Sequence, residues 1–176
     1  MNAMNGIGST NSSDDMNSKE TSVSLSELIE SRNLNLNDIR LTIYYMSFSA
    51  LTPIPVSLDM LIGGWHDNTG QLMSGGYDYK IIVPGRNLAE PLNSLNYLIN
   101  AELIPVENES SRVEARLYYV IEHKEYGEIF SFLAFGGGGT MFVNGLEIEH
   151  NSVFLEVVLP FMPADAASAI ERSLHP

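Results

Sequence analysis

Hydrophobic positions along the chain fall into two kinds of rhythm, and their alternation predicts the elements. RVEARLYYVIEHK (112–124) alternates strictly, with Val113, Ala115, Leu117, Tyr119 and Ile121 on one side and Glu114, Arg116, Tyr118, Val120 and Glu122 on the other. Period-two spacing of this kind is that of a β-strand with one dry face. EIFSFLAF (128–135) continues it after a turn at Glu125–Gly127, and IRLTIYYMSFSAL (39–51) is rich in the same β-branched and aromatic residues. LNYLINAELIPV (95–106) reads as a further strand, which makes 95–135 a three-strand antiparallel meander. TMFV-NG-LEIE predicts a small hairpin, because Asn144-Gly145 favours a type I′ turn.

Helical spacing appears at the two ends. Ser24 stands three residues before Glu27, the pattern of a capping box, with Val23 and Leu28 placed as a hydrophobic staple. This predicts a short helix ending near Asn33. MPADAASAIERSL puts Ala166, Ile170 and Leu174 on one stripe, with Pro163 and Asp165 where a helix start favours them. Residues 56–94 carry dense turn signals (GGW, DNTG, SGG, PGR) around one short strand, YDYKIIV, and fit a hairpin or an excursion over the sheet. Residues 1–22 are polar and read as a disordered tail. The expected fold class is therefore α+β, an antiparallel β-sheet packed against a C-terminal helix with a short N-terminal helix, in one domain over 23–176.

Charge narrows the function. Acids outnumber Lys and Arg 22 to 9, for a formal net charge of −13. Nucleic acid is disfavoured as a partner, since phosphate contacts need a basic face. With no cysteine there is neither a thiolate nucleophile nor a Cys-ligated zinc. No apolar run approaches the ~18 residues that a membrane span needs, so no membrane association and a cytoplasmic location are expected.

The glycine run FGGGGTMFVNG (135–145) raises the question of a phosphate or oxyanion loop. A P-loop requires lysine and a hydroxyl at fixed offsets, and the nearest lysine in sequence is Lys124. There is no G-x-S-x-G elbow, and His66, His123, His150 and His175 lack triad partners. Glu147, Glu149 and His150 cluster in LEIEH and His66-Asp67 lies in a turn. Strand alternation turns His150 away from the two acids, so no metal site is expected. Trp65 in GGWHD reads as a buried loop anchor, or as a binding hot spot.

The pattern NYLINAEL, VEARLYYVIEHK, EYGE, IFSFLAF over 96–139, with Gly138-Gly139 after it, resembles the central meander of the SecB chaperone family. DIRLTIYYMSFSALTP is similar to that family's first strand, and VVLPFMPADAASAIERSL to its way into the packing helix. The resemblance implies a non-enzymatic protein without cofactor that binds non-native polypeptide and assembles as a homo-oligomer, a dimer or tetramer. Positions matching the acids by which export members dock their ATPase are Tyr45, Ser49 and Ala134, all uncharged, which points to a dedicated client rather than export. Residues 56–94 are an insertion in that comparison. An exposed sheet face is expected to offer Tyr45, Tyr118, Phe130 and Phe132 to a client or to a second copy. The alternative is an acidic inhibitor, of the immunity or antitoxin type, that meets a basic toxin through Glu122, Glu125 and Glu128, with Glu147 and Glu149 beside them.

Overall fold

The computed structural model describes residues 23–52, 54–66, 69–73, 75–88, 92–107, 114–136 and 140–174, without the side chains of Trp65, Leu72, Met73, Leu92 and Asn93. The expected tail at 1–22, Asp67, Val113, Gly138-Gly139 and His175 lie outside these residues, as does the side-chain role expected of Trp65.

The architecture is α+β. Six strands, β1 (Ile39–Tyr45), β4 (Tyr79–Pro84), β5 (Ala115–His123), β6 (Gly127–Phe135), β7 (Met141–Val143) and β8 (Leu146–Ile148), form one antiparallel sheet. Their order across it is β4-β1-β5-β6-β7-β8. A separate two-stranded ribbon joins β2 (Trp65–His66) to β3 (Leu72–Met73). The helices are α1 (Leu25–Glu30), α2 (Leu58–Gly63), α3 (Leu92–Asn100), α4 (Val153–Glu156) and α5 (Ala164–Ser173).

The capping box forms as read: Ser24 accepts from the Glu27 amide while Glu27 accepts from the Ser24 amide. Asn144 and Gly145 take φ of 48° and 79°, the left-handed pair that a type I′ turn requires, and β7 and β8 close the expected hairpin. Within 56–94 the predicted strand is β4, while α2 is an element the turn signals concealed.

Two expectations are corrected. The segment at 95–106 is not a strand. Leu95 and Leu98 are buried while Tyr97 is exposed, the spacing of a helix, and α3 occupies its first half. Leu95, Tyr97 and Ile99 also alternate, so a short apolar run satisfied both periods. Strand-like contacts remain at its far end, where Pro105 bridges to Ile148 and Ile104 and Val106 hydrogen-bond the backbone of Glu149 and Glu147. The meander is thus β5, β6, β7 and β8, with β1 on the far side of β5.

The second correction concerns the sheet's wet face. β5 is buried along nearly its whole length on both sides. Its inward residues Leu117, Tyr119 and Ile121 join Leu41 and Ile43 of β1 under α1, α3, α4 and α5. Its outward residues Tyr118 and Val120 join Tyr44, Met46, Val56, Leu61 and Phe135 in a second cluster under α2. A register shift between Ala115 and Leu117 moves Ala115 to this second cluster, against the plain alternation.

The inner core is organised around aromatic rings. The Phe132 ring lies 5.0 Å from that of Tyr119 and 5.4 Å from that of Phe154, the latter nearly parallel at 10°. The Tyr119 hydroxyl donates to the Phe154 carbonyl at 3.1 Å, which fixes α4 to the sheet. Replacing Phe132 by Ala removes the middle ring of this stack. The expected loss is about 3–5 kcal/mol in denaturant unfolding; a loss under about 1 kcal/mol would mean that the ring is not core.

Candidate functional site

The strand register separates the four aromatics expected on one exposed face. Tyr44 pairs with Tyr118 and Tyr45 with Leu117, so Tyr45 and Tyr118 point to opposite sides of the sheet. Phe132 and Phe130 sit across from Tyr119 and Ile121, which places them with Tyr45 on the inner side. Tyr45, Phe130 and Phe132 are 2%, 5% and 0% exposed. They are core residues, and the expectation that they meet a partner is overturned. Ala134 is likewise an inner-core residue, so the positions compared with ATPase-docking acids do not share an exposed face. Tyr118 alone lies on the outer side.

What the outer side offers is a groove of about 270 Å³ running across β4, β1, β5 and β6 beside α2. Its floor is Thr42, Tyr44, Tyr118 and Val120, with Ile62 of α2 and Ile82 of β4 as apolar walls. Arg40, Lys80, Glu122 and Glu128 stand around it. Strand pairing explains why they meet: Arg40 is opposite Glu122 in the β1–β5 register, and Glu122 is opposite Glu128 in the β5–β6 register. Glu122 Oε2 accepts from Arg40 Nη2 at 2.7 Å and from Nε at 3.1 Å. Lys80 Nζ lies 5.0 Å over the Tyr44 ring and has no carboxylate partner among the described residues. The Glu128 carboxylate meets the Tyr118 hydroxyl at 3.5 Å and no cation among the described residues. The groove therefore has an unneutralised cation at its β4 side and an unneutralised carboxylate at its β6 side, with aromatic and aliphatic surface between.

Of the three acids expected at a toxin-facing turn, Glu128 faces this groove, Glu122 is taken by Arg40, and Glu125 stands exposed in the β5–β6 turn. Glu147 is buried, opposite Phe142 in the hairpin register, while Glu149 donates its amide to the Ile104 carbonyl. Among the described residues no three His, Asp or Glu converge on a point.

Arg116 is the group that sequence reasoning passed over. It is charged yet 2% exposed. Its Nη2 donates to the Ala50 carbonyl and to Glu114 Oε1, which also accepts from Thr52, and its Nη1 contacts Met46 sulfur. It thus ties the loop after β1 to the start of β5. Gly136, first of the four glycines, packs against it: a Cβ there would lie 3.0 Å from Arg116 Cγ. Bare backbone at this point makes room for a buried guanidinium, and the chain then returns as β7 rather than leaving the sheet for a helix. In the sequence, Arg116 in an apolar run was the available signal.

No protein-family model, no curated protein and no solved structure matches this chain.

Burial raises the Tyr118 hydroxyl's pKa, and the Glu128 carboxylate beside it raises it further. Tyr119 is pushed up by burial alone. Both phenols stay neutral in the fold where unfolded tyrosine begins to ionise, near about pH 10. Their contribution to stability is complete below that pH and is lost as pH rises toward the folded-state values. The denaturant midpoint should fall steeply above about pH 10, and Tyr118→Phe should make that fall shallower. An unchanged alkaline slope in the variant would contradict this assignment.

Proposed function

We propose that this chain is a non-enzymatic polypeptide-binding protein that receives an extended or non-native segment of another protein in the outer groove. The observation that carries the reading is the groove itself: aromatic and aliphatic floor, exposed Ile82 on its rim, and opposite charges left open at its two ends. Apolar floor with a few oriented charges suits side chains and backbone of a flexible chain better than it suits a reaction, since among the described residues no nucleophile–base pair or metal set lines it. This is the role that the SecB resemblance implies. With α3 in place of a strand, part of that resemblance falls away, so the proposal rests on the groove. A dedicated client fits better than general export, because the groove is short and carries a fixed charge pattern. The acidic-inhibitor reading draws less support, as Glu122 is already satisfied by Arg40 within the chain.

The test is binding of reduced, carboxymethylated α-lactalbumin, a permanently unfolded probe, followed by fluorescence anisotropy. The intact protein should bind it, and the double variant Ile62→Ser/Ile82→Ser should bind about tenfold more weakly, since losing two apolar rim contacts costs roughly 1.4 kcal/mol. Equal affinity of the variant, or no binding by the intact protein at several-fold excess, would sink the proposal.

A further inference from the structure

The described chain begins at Val23, and it begins beside the outer groove. Val23 and Ser24 share a second cleft with Glu128, Ile129, Phe130 and Asn144. Glu128 also borders the outer groove, so the two clefts meet at this carboxylate on β6. β7 pairs with β6 only from Phe132 to Ala134, and no described strand stands between this exit and the outer side. The 22 residues before Val23 therefore leave the described fold at the acidic end of the groove.

Their charges come in the order in which the groove presents its own. Going outward from Val23, Lys19 comes first and is the one Lys or Arg of the segment; Asp15 and Asp14 follow. The groove, met from the same end, offers the unneutralised Glu128 first and the unneutralised Lys80 last. From Val23 to Lys19 an extended chain covers about 13 Å, and from Lys19 to Asp14 about 17 Å. The second length matches the path across the groove. Glu128 is 3.5 Å from the Tyr118 hydroxyl, the Tyr118 and Tyr44 rings are 6.2 Å apart, and Lys80 Nζ is 5.0 Å from the Tyr44 ring. Met16 is the one apolar residue between the two charges, and a thioether adapts well to a floor of aromatic rings.

We propose that residues 14–19 are the groove's own occupant, with Lys19 against Glu128 and Asp14 and Asp15 against Lys80, and that a client enters by displacing them. This inference rests on the polypeptide-binding reading, since the site that admits a foreign segment is the one that this segment fills. A tethered ligand acts at an effective concentration on the order of millimolar, so two exposed ion pairs and one apolar contact are enough to hold it. The same weakness lets a longer apolar client replace it. Glu20, nearer to Val23, is left at the shared cleft and short of the groove.

The chain has no cysteine, so pairs can be introduced into the full-length protein and oxidised with glutathione disulfide. Met16→Cys/Ile62→Cys places one thiol on the segment and the other on the groove wall. Met16→Cys/Tyr97→Cys places the second on exposed α3, across the sheet. The first pair should close an internal disulfide at least about tenfold faster than the second. Adding Lys19→Glu or Glu128→Lys should each slow it at least about threefold, and the two together should restore the rate. Without the cysteines, Lys19→Glu should bind carboxymethylated α-lactalbumin about threefold more tightly. Ile62, Tyr97 and Glu128 are not buried, and circular dichroism checks that each variant is folded. Equal rates for the two pairs, disulfides that join two chains, a charge swap that fails to restore the rate, or a probe affinity that Lys19→Glu leaves unchanged would overturn the proposal. The disulfide is read without a client, which separates the two readings. Fast closure in a chain that binds no probe would sustain the segment's seat and sink polypeptide binding, and probe binding with no preference for Ile62 would do the reverse.

Discussion

The stack of Tyr119, Phe132 and Phe154 is the contact on which the rest of the molecule depends. It joins the two central strands to α4, and through the Tyr119 hydroxyl it satisfies a backbone carbonyl that the same packing buries. Aromatic rings in this geometry give large buried area and a preferred orientation together. Once β5 and β6 are fixed by it, the inner side of the sheet is full. Whatever the protein offers to others must come from the outer side or from an edge.

That constraint explains why the outer face is only half open. α2 covers one end with Leu61 and Ile62, and Arg116 holds the loop that leads to α2. The uncovered end keeps Thr42, Tyr44, Tyr118 and Val120 as a floor and four charged side chains as its border. A buried guanidinium is expensive unless its donors are satisfied. Arg116 meets most of that demand through its two terminal nitrogens, on Glu114, Ala50 and Met46, while its buried Nε has no hydrogen-bond partner among the described residues, so a polar network, rather than further aliphatic packing, sets where the groove begins.

Sequence pattern made the ends and the centre of the fold legible and left its middle obscure. The capping box at Ser24, the Asn144-Gly145 turn and the stripe through Ala166 and Ile170 are local signals, readable because neighbouring residues alone determine them. The strands β1, β5 and β6 were legible for the same reason. α3 was not: Leu95, Leu98 and Ile99 fit a helix while Leu95, Tyr97 and Ile99 fit a strand, and only the surface on which the segment lands decides between them. The candidate site suffered most. Alternation in β5 separates two sides, but cannot tell which side is covered, and Tyr45, Phe130 and Phe132 were placed outside because α4 and its neighbours could not be foreseen. Tyr118, Val120 and Glu122 were read as sharing one side, and all three line the groove, since alternation along a single strand settles that much.

Strand order has a kinetic consequence. The central partner of β1 is β5, with Ile39 opposite His123, so the first strand made must wait for one far along the chain. Closing so long a loop costs entropy before any contact repays it, and sheets dominated by distant pairings fold slowly, on the order of milliseconds to seconds. During synthesis, Ile39–Tyr45 can pair with Tyr79–Pro84 on one side, but its other edge stays open until Ala115–His123 has left the ribosome. A protein with this topology is itself, for that interval, a nascent chain in need of shelter.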